Sequence, residues 1–168
     1  MAVTIAAQAP AGWHVRVSRR PQVAAGARAP STGRLLDGAG GVTRPILHAA
    51  SRPLPRGLAD FGGELIDVLG PDDAFVALID HGPDVAGVGL FARQGRPTIA
   101  PSQFAANRLA RYVPGRSAGQ WFFTERGHGF CLYAVAGAHS RRMATVPAIA
   151  RVVASIRVSA GGGIGGVG

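Results

Sequence analysis

The chain has 168 residues, a formal net charge of +9 and 47% hydrophobic residues, which suits one domain with its own core and excludes a chain too polar to fold. All 18 basic residues are Arg, and Ala, Gly, Arg and Pro fill 85 of the positions. These four have GC-rich codons, so the Arg excess argues less for phosphate binding than the same number of selected arginines would.

The first ten residues lack the basic start and apolar run of a secretory signal, which predicts a cytoplasmic chain. Residues 13–18 alternate Trp, Val, Val with His, Arg, Ser, the period of a half-buried strand. Residues 19–44 carry Arg19, Arg20, Arg28, Arg34 and Arg44 among Gly, Ala and Pro, and read as a long loop or arm. A strand is expected at 46–51, ended by Pro53 and Pro55. Residues 64–69 alternate again and read as a further strand.

Seven acids and no Arg between 57 and 92 make that block −7 and the remainder +16. Either the halves complement each other within the fold or one of them steers an acidic partner to the surface. Within this block, 74–79 is a continuous apolar run of strand length, expected at the centre of a sheet. Residues 80–84 turn the chain and 85–92 return as an antiparallel strand, with Gly87 and Gly89 thinning one face. A short helix is expected from Ser102, carrying Phe104, Arg108, Leu109 and Tyr112 and stopped by Pro114-Gly115.

The densest pattern is 120–158. Two aromatic and β-branched runs, 120–125 and 129–137, flank Arg126-Gly127-His128 and predict a hairpin. A helix follows, with Ser140 as cap, Pro147 in the first turn and an apolar stripe of Met143, Val146, Ile149, Ala150, Val153 and Ile156. Residues 155–158 close the order as a strand. The fold class expected is α+β, a mostly antiparallel sheet with a few flanking helices and a closing hairpin, helix and strand. One domain spans 1–158, and 159–168 is a Gly-rich tail.

Residues 70–78 together with 121–133 resemble a group of small uncharacterised proteins from GC-rich bacteria. The closing hairpin, helix and strand is similar to the last third of PsbP/Mog1-like domains. That resemblance covers about a quarter of the chain and implies an antiparallel sheet flanked by helices that acts as an assembly or binding module.

Chemistry is sparse. Cys131 is the single cysteine, so no intramolecular disulfide forms. His128 lies three residues before it, and residues three apart on a strand face opposite ways, so a thiolate dyad is not expected; Cys131 reads as core and His128 as a turn residue. His14, His48, His81, His128 and His139 show no metal-ligand spacing. Asp80-His81 with Asp84 is the best local cluster and reads as a solvated turn. No P-loop, nucleophile elbow or triad is present, and no cofactor is predicted. The expectation is a non-enzymatic protein-binding or structural module acting in an oligomer or larger assembly, its contacts made by Arg19, Arg20, Arg28, Arg34 and Arg44. The alternative is a non-specific nucleic-acid binder using the same arm with Trp121, Phe122 and Arg126. Alternation sends Trp121 and Phe123 to one face and Phe122 to the other, and a strand covered on both sides would bury all three. A small enzyme using Cys131 would require a reactive thiol.

Overall fold

The apolar run 74–79 does become the middle of a sheet. In a computed structural model, which describes residues 2–21 and 42–161, five antiparallel strands lie in the order β2 (His14–Pro21), β3 (Thr43–Ala50), β4 (Ala74–Gly82), β6 (His128–Ala136) and β5 (Ser117–Glu125). A separate two-stranded sheet pairs β1 (Val3–Ala6) with β7 (Arg157–Ala160). The fold is α+β and its large sheet is wholly antiparallel.

Strand pairing divides the sheet into two faces. Leu47, Leu78 and Leu132 share one face with Val76, Phe123 and Phe130, and there they pack with Val3 and Ile5 of β1, Val158 of β7 and the helix α2 (Arg142–Ser155). α2 lays Val146, Ile149, Val152 and Val153 on that core at helical spacing. The opposite face carries Ala50, Phe75, Tyr133 and Val135 under Leu58, Leu65, Ile66 and Leu69. Because β4 and β6 are covered on both faces, they are buried nearly end to end.

The hairpin is tighter than expected. Arg126 (φ 53°) and Gly127 (φ 74°) alone form the turn, the two positive φ values of a type I′ connection. His128 is therefore the first residue of β6 and is buried, which corrects its assignment to the turn.

Other expectations are corrected too. Residues 64–69 contain the single-turn helix α1 (Leu65–Val68), because Leu65, Ile66 and Leu69 bury at helical spacing and not alternately. Residues 83–92 form two 3-10 turns, Pro83–Val85 and Gly89–Phe91, since Gly87 and Gly89 adopt positive φ and Pro83 cannot extend a ladder. The helix expected from Ser102 is two further 3-10 turns, Pro101–Gln103 and Ala106–Arg108. A 3-10 turn, His139–Arg141, precedes α2, so Pro147 is its sixth residue and Met143 is 69% exposed. Arg19 and Arg20 belong to β2 and Arg44 to β3, so the expected arm narrows to the connection between these strands. Ser159 and Ala160, placed in the tail by sequence, pair in β7. Arg28, Arg34 and the rest of the tail from 162 lie outside the described residues. No helix among the described residues is long and apolar enough to cross a membrane.

Candidate functional site

Five strand ends meet where β2 and β4 finish and β3 and β6 begin, beside the β5–β6 turn. Arg20 pairs with Arg44 in the β2–β3 ladder. Arg20 also forms an ion pair with Asp60 and donates to the Leu58 carbonyl. The Arg44 guanidinium lies against Gly82, and a side chain there would have to displace it. Gly82 has φ 91° and follows an irregularity in the β4–β6 register at Asp80, so glycine serves both the backbone and the close approach.

Asp80 and His128 meet across that irregularity. Nδ1 of His128 is 2.9 and 3.1 Å from the two carboxylate oxygens of Asp80, and Oδ1 also accepts from the Gly82 amide at 2.7 Å. Both side chains are almost fully buried, at 1% and 4% exposed. The carboxylate fixes the ring orientation and occupies Nδ1, and the ring stacks on Phe130. The pair borders a cavity of about 420 Å³ with Val3, Arg44 and Asp84. A second cavity of about 180 Å³ on the other face is bounded by Arg20, Arg44, Asp60, Asp80 and His81. Burial pushes His81 below the usual imidazole value, so it is largely uncharged there at neutral pH. Sequence reasoning placed Asp80 in a solvated turn and missed this pair, whose members are 48 residues apart and share no local signal.

Five of the seven acids of the 57–92 block find partners within the fold. Asp60 pairs with Arg20, Asp67 with Arg111, Asp72 with Arg141, Asp73 with Arg52, and Asp80 with His128. Other arginines clamp carbonyl groups. Arg116 donates to Ile66, Asp67 and Leu69 at the end of α1, and Arg96 to Val153 and Ile156 at the end of α2, each answering the orphan carbonyls of a helix C-terminus.

The remaining candidates separate. Cys131 packs with Ile46 and Ile79 on the face opposite His128, and burial raises its thiol pKa, partly opposed by Gln120. A protonated buried thiol is a poor nucleophile. β5 is an edge strand, so of its three aromatics only Phe123 is fully buried. Trp121 is half-buried edge-on to Phe104 at 5.9 Å and Phe122 edge-on to Phe91 at 5.5 Å. Arg126 is exposed at the hairpin turn. Among the described residues, no three His, Cys, Asp or Glu side chains come close enough to hold a metal ion.

The two borders of the sheet differ in what covers them. Along the outside of β5, Gly95 donates to Thr124 and Thr124 to Arg93, at 2.8 and 2.7 Å, while Ala105 and Ala118 exchange two bonds of 2.9 and 3.0 Å. Along the outside of β2, no backbone hydrogen bond arrives from the described residues. Val15 and Val17 are 38% and 43% exposed there. No protein-family model, no curated protein and no solved structure matches this chain.

Proposed function

We propose that this chain is a non-enzymatic protein-binding module that takes part in an oligomer or larger assembly through the β2 border and the basic strand ends beside it. The carrying observation is a border that no other described residue covers: eight residues of extended backbone, His14–Pro21, with Val15 and Val17 exposed and Arg19 beside them on the same face. An uncovered strand with free amide and carbonyl groups is a template for another chain. The resemblance of the closing hairpin, helix and strand to PsbP/Mog1-like domains, which mostly act as assembly or binding modules, points the same way.

The nucleic-acid alternative draws less support. Trp121 and Phe122 are each engaged by another ring and half-buried, whereas base stacking needs an open aromatic face. The electrostatic attraction to any polyanion remains, with Arg19 and Arg126 exposed.

A photo-crosslinking side chain at Val15, compared with one at the exposed Met143, tests the reading in cells that make the protein. The expected result is a discrete adduct from position 15 that protease removes and nuclease does not, and none from 143. Adducts trimmed by nuclease, or no adduct at 15, would overturn it.

A further inference from the structure

Strand pairing makes the β2 border more specific than a sticky edge. Alternation puts Val15, Val17 and Arg19 on the face shared with Leu47 and Ala49, and Arg16, Ser18 and Arg20 on the face shared with Ile46 and His48. A strand added outside β2 continues both faces, since cross-strand neighbours lie about 4.5–5.5 Å apart. On the first face its side chains extend the apolar surface of Val15 and Val17. On the second they meet Arg16, whose Nη1 and Nη2 donate to Pro55 and Leu54 at 2.7 and 3.0 Å, and Arg20, bound to Leu58 and Asp60. A guanidinium has five N–H donors, so Arg16, bound only to carbonyls, keeps donors for a carboxylate, while Arg20 already holds that of Asp60 and adds to the positive field beside it.

We infer that the β2 border accepts an extended segment of a partner protein in which apolar and acidic residues alternate, added antiparallel or parallel as a sixth strand. This inference rests on the protein-binding reading above and names its partner's chemistry. A second copy of β2 is the wrong occupant, because two such strands would bring six arginines and no acid into one ribbon. Charged side chains on an edge are a device against self-pairing, and the same arginines select an acidic strand. Among the described residues, five of the seven acids of the 57–92 block, and Glu125, already have partners within the fold and compete poorly for this border.

The test is a fluorescence-anisotropy titration of the full chain with a labelled seven-residue peptide alternating Val and Glu. Its controls are a peptide with the same residues in two blocks, the alternating peptide N-methylated on its backbone, and a single-stranded oligonucleotide as competitor. The inference expects the alternating peptide to bind at least about tenfold tighter than either peptide control, with slowed amide exchange at 14–21. The double substitution Val15→Asp with Val17→Asp, at exposed positions, should abolish that preference while circular dichroism stays unchanged. Equal binding of all three peptides, or complete displacement by the oligonucleotide, would mean charge attraction alone and would overturn the inference. Failure of every peptide to bind while the position-15 adduct forms would overturn the alternating-strand inference and leave the protein-binding reading standing; loss of the adduct sinks both.

Discussion

β5 and β2 border the same sheet, and among the described residues one border is covered and the other is not. The outer side of β5 is bonded to the segments around Gly95 and Ala105, its Phe123 is fully buried, and Arg96 ties its last residue, Glu125, to the end of α2. The outer side of β2 receives none of this from the described residues, and its apolar side chains are more than a third exposed. Local folding energy therefore concentrates at the covered border. Among the described residues, β2 is held by its ladder to β3 and by arginine contacts to the 54–60 segment. A border with little stabilising role can change sequence at small cost to the fold, which is what a recognition surface needs.

The largest test of this contrast is truncation on each side. Phe123→Ala should cost about 3–5 kcal/mol, because it empties a fully buried aromatic site stacked on Phe130. Val17→Ala should change stability by about 0.5 kcal/mol or less. Denaturant titration of both variants checks this, and similar losses would break the comparison. Next in size is Arg96→Ala. It removes donors from the carbonyls of Val153 and Ile156 and from both oxygens of Glu125, in a pair that is 17% and 22% exposed. A loss of about 2 kcal/mol is expected. Arg96→Lys should recover only part of it, since an ammonium lacks the fork that spans the three partners. Full recovery by Lys would show that charge, and not the clamp, holds β5 to the helix.

What could be read in advance follows from how local each cause is. The continuous apolar run at 74–79 and the aromatic hairpin carry their own signals, so the two most buried strands, β4 and β6, and the antiparallel α+β class were legible. β1 was not, because Val3 and Ile5 are too short a pattern to specify a strand without β7, more than 150 residues later in sequence. Residues 85–92 mimic a strand in composition, yet two positive-φ glycines turn them. At 64–69 the spacing of Leu65, Ile66 and Leu69 was already the helical signal that alternation obscured. The arginines misled most. Composition counts them as surface charge, whereas Arg16, Arg96 and Arg116 are carbonyl clamps whose partners only the folded chain brings near. The basic strand ends were partly legible, through Arg20, Arg44 and Arg126. The Asp80–His128 pair behind them required the strand register.

The smallest expected effect sharpens the contrast from the strand beside β2. His48 lies in β3 beside β2, paired in register with Arg16, its Nε2 3.1 Å from the Asp60 carbonyl and its ring stacked on Phe75. Burial lowers its pKa first, and the charges of Arg20 and Arg16 lower it further, against the raising influence of the Asp60 carbonyl and carboxylate. Neutral His48 donates its Nε2 proton to that carbonyl. Above the unfolded value of about 6.5 both states are neutral and the fold keeps its full stability. As pH falls through that value the unfolded chain takes up a proton that the folded chain resists, so stability is lost towards acid. His81 has the same sign for the same reason, burial. Thermal unfolding from pH 7.5 to 5.5 should therefore show a falling midpoint. His48→Phe should flatten that fall without removing it, leaving the share of His81. A slope unchanged by His48→Phe would mean that the site beside β2 accepts charge as readily as solvent does, and that β2 is loosely seated on its neighbour.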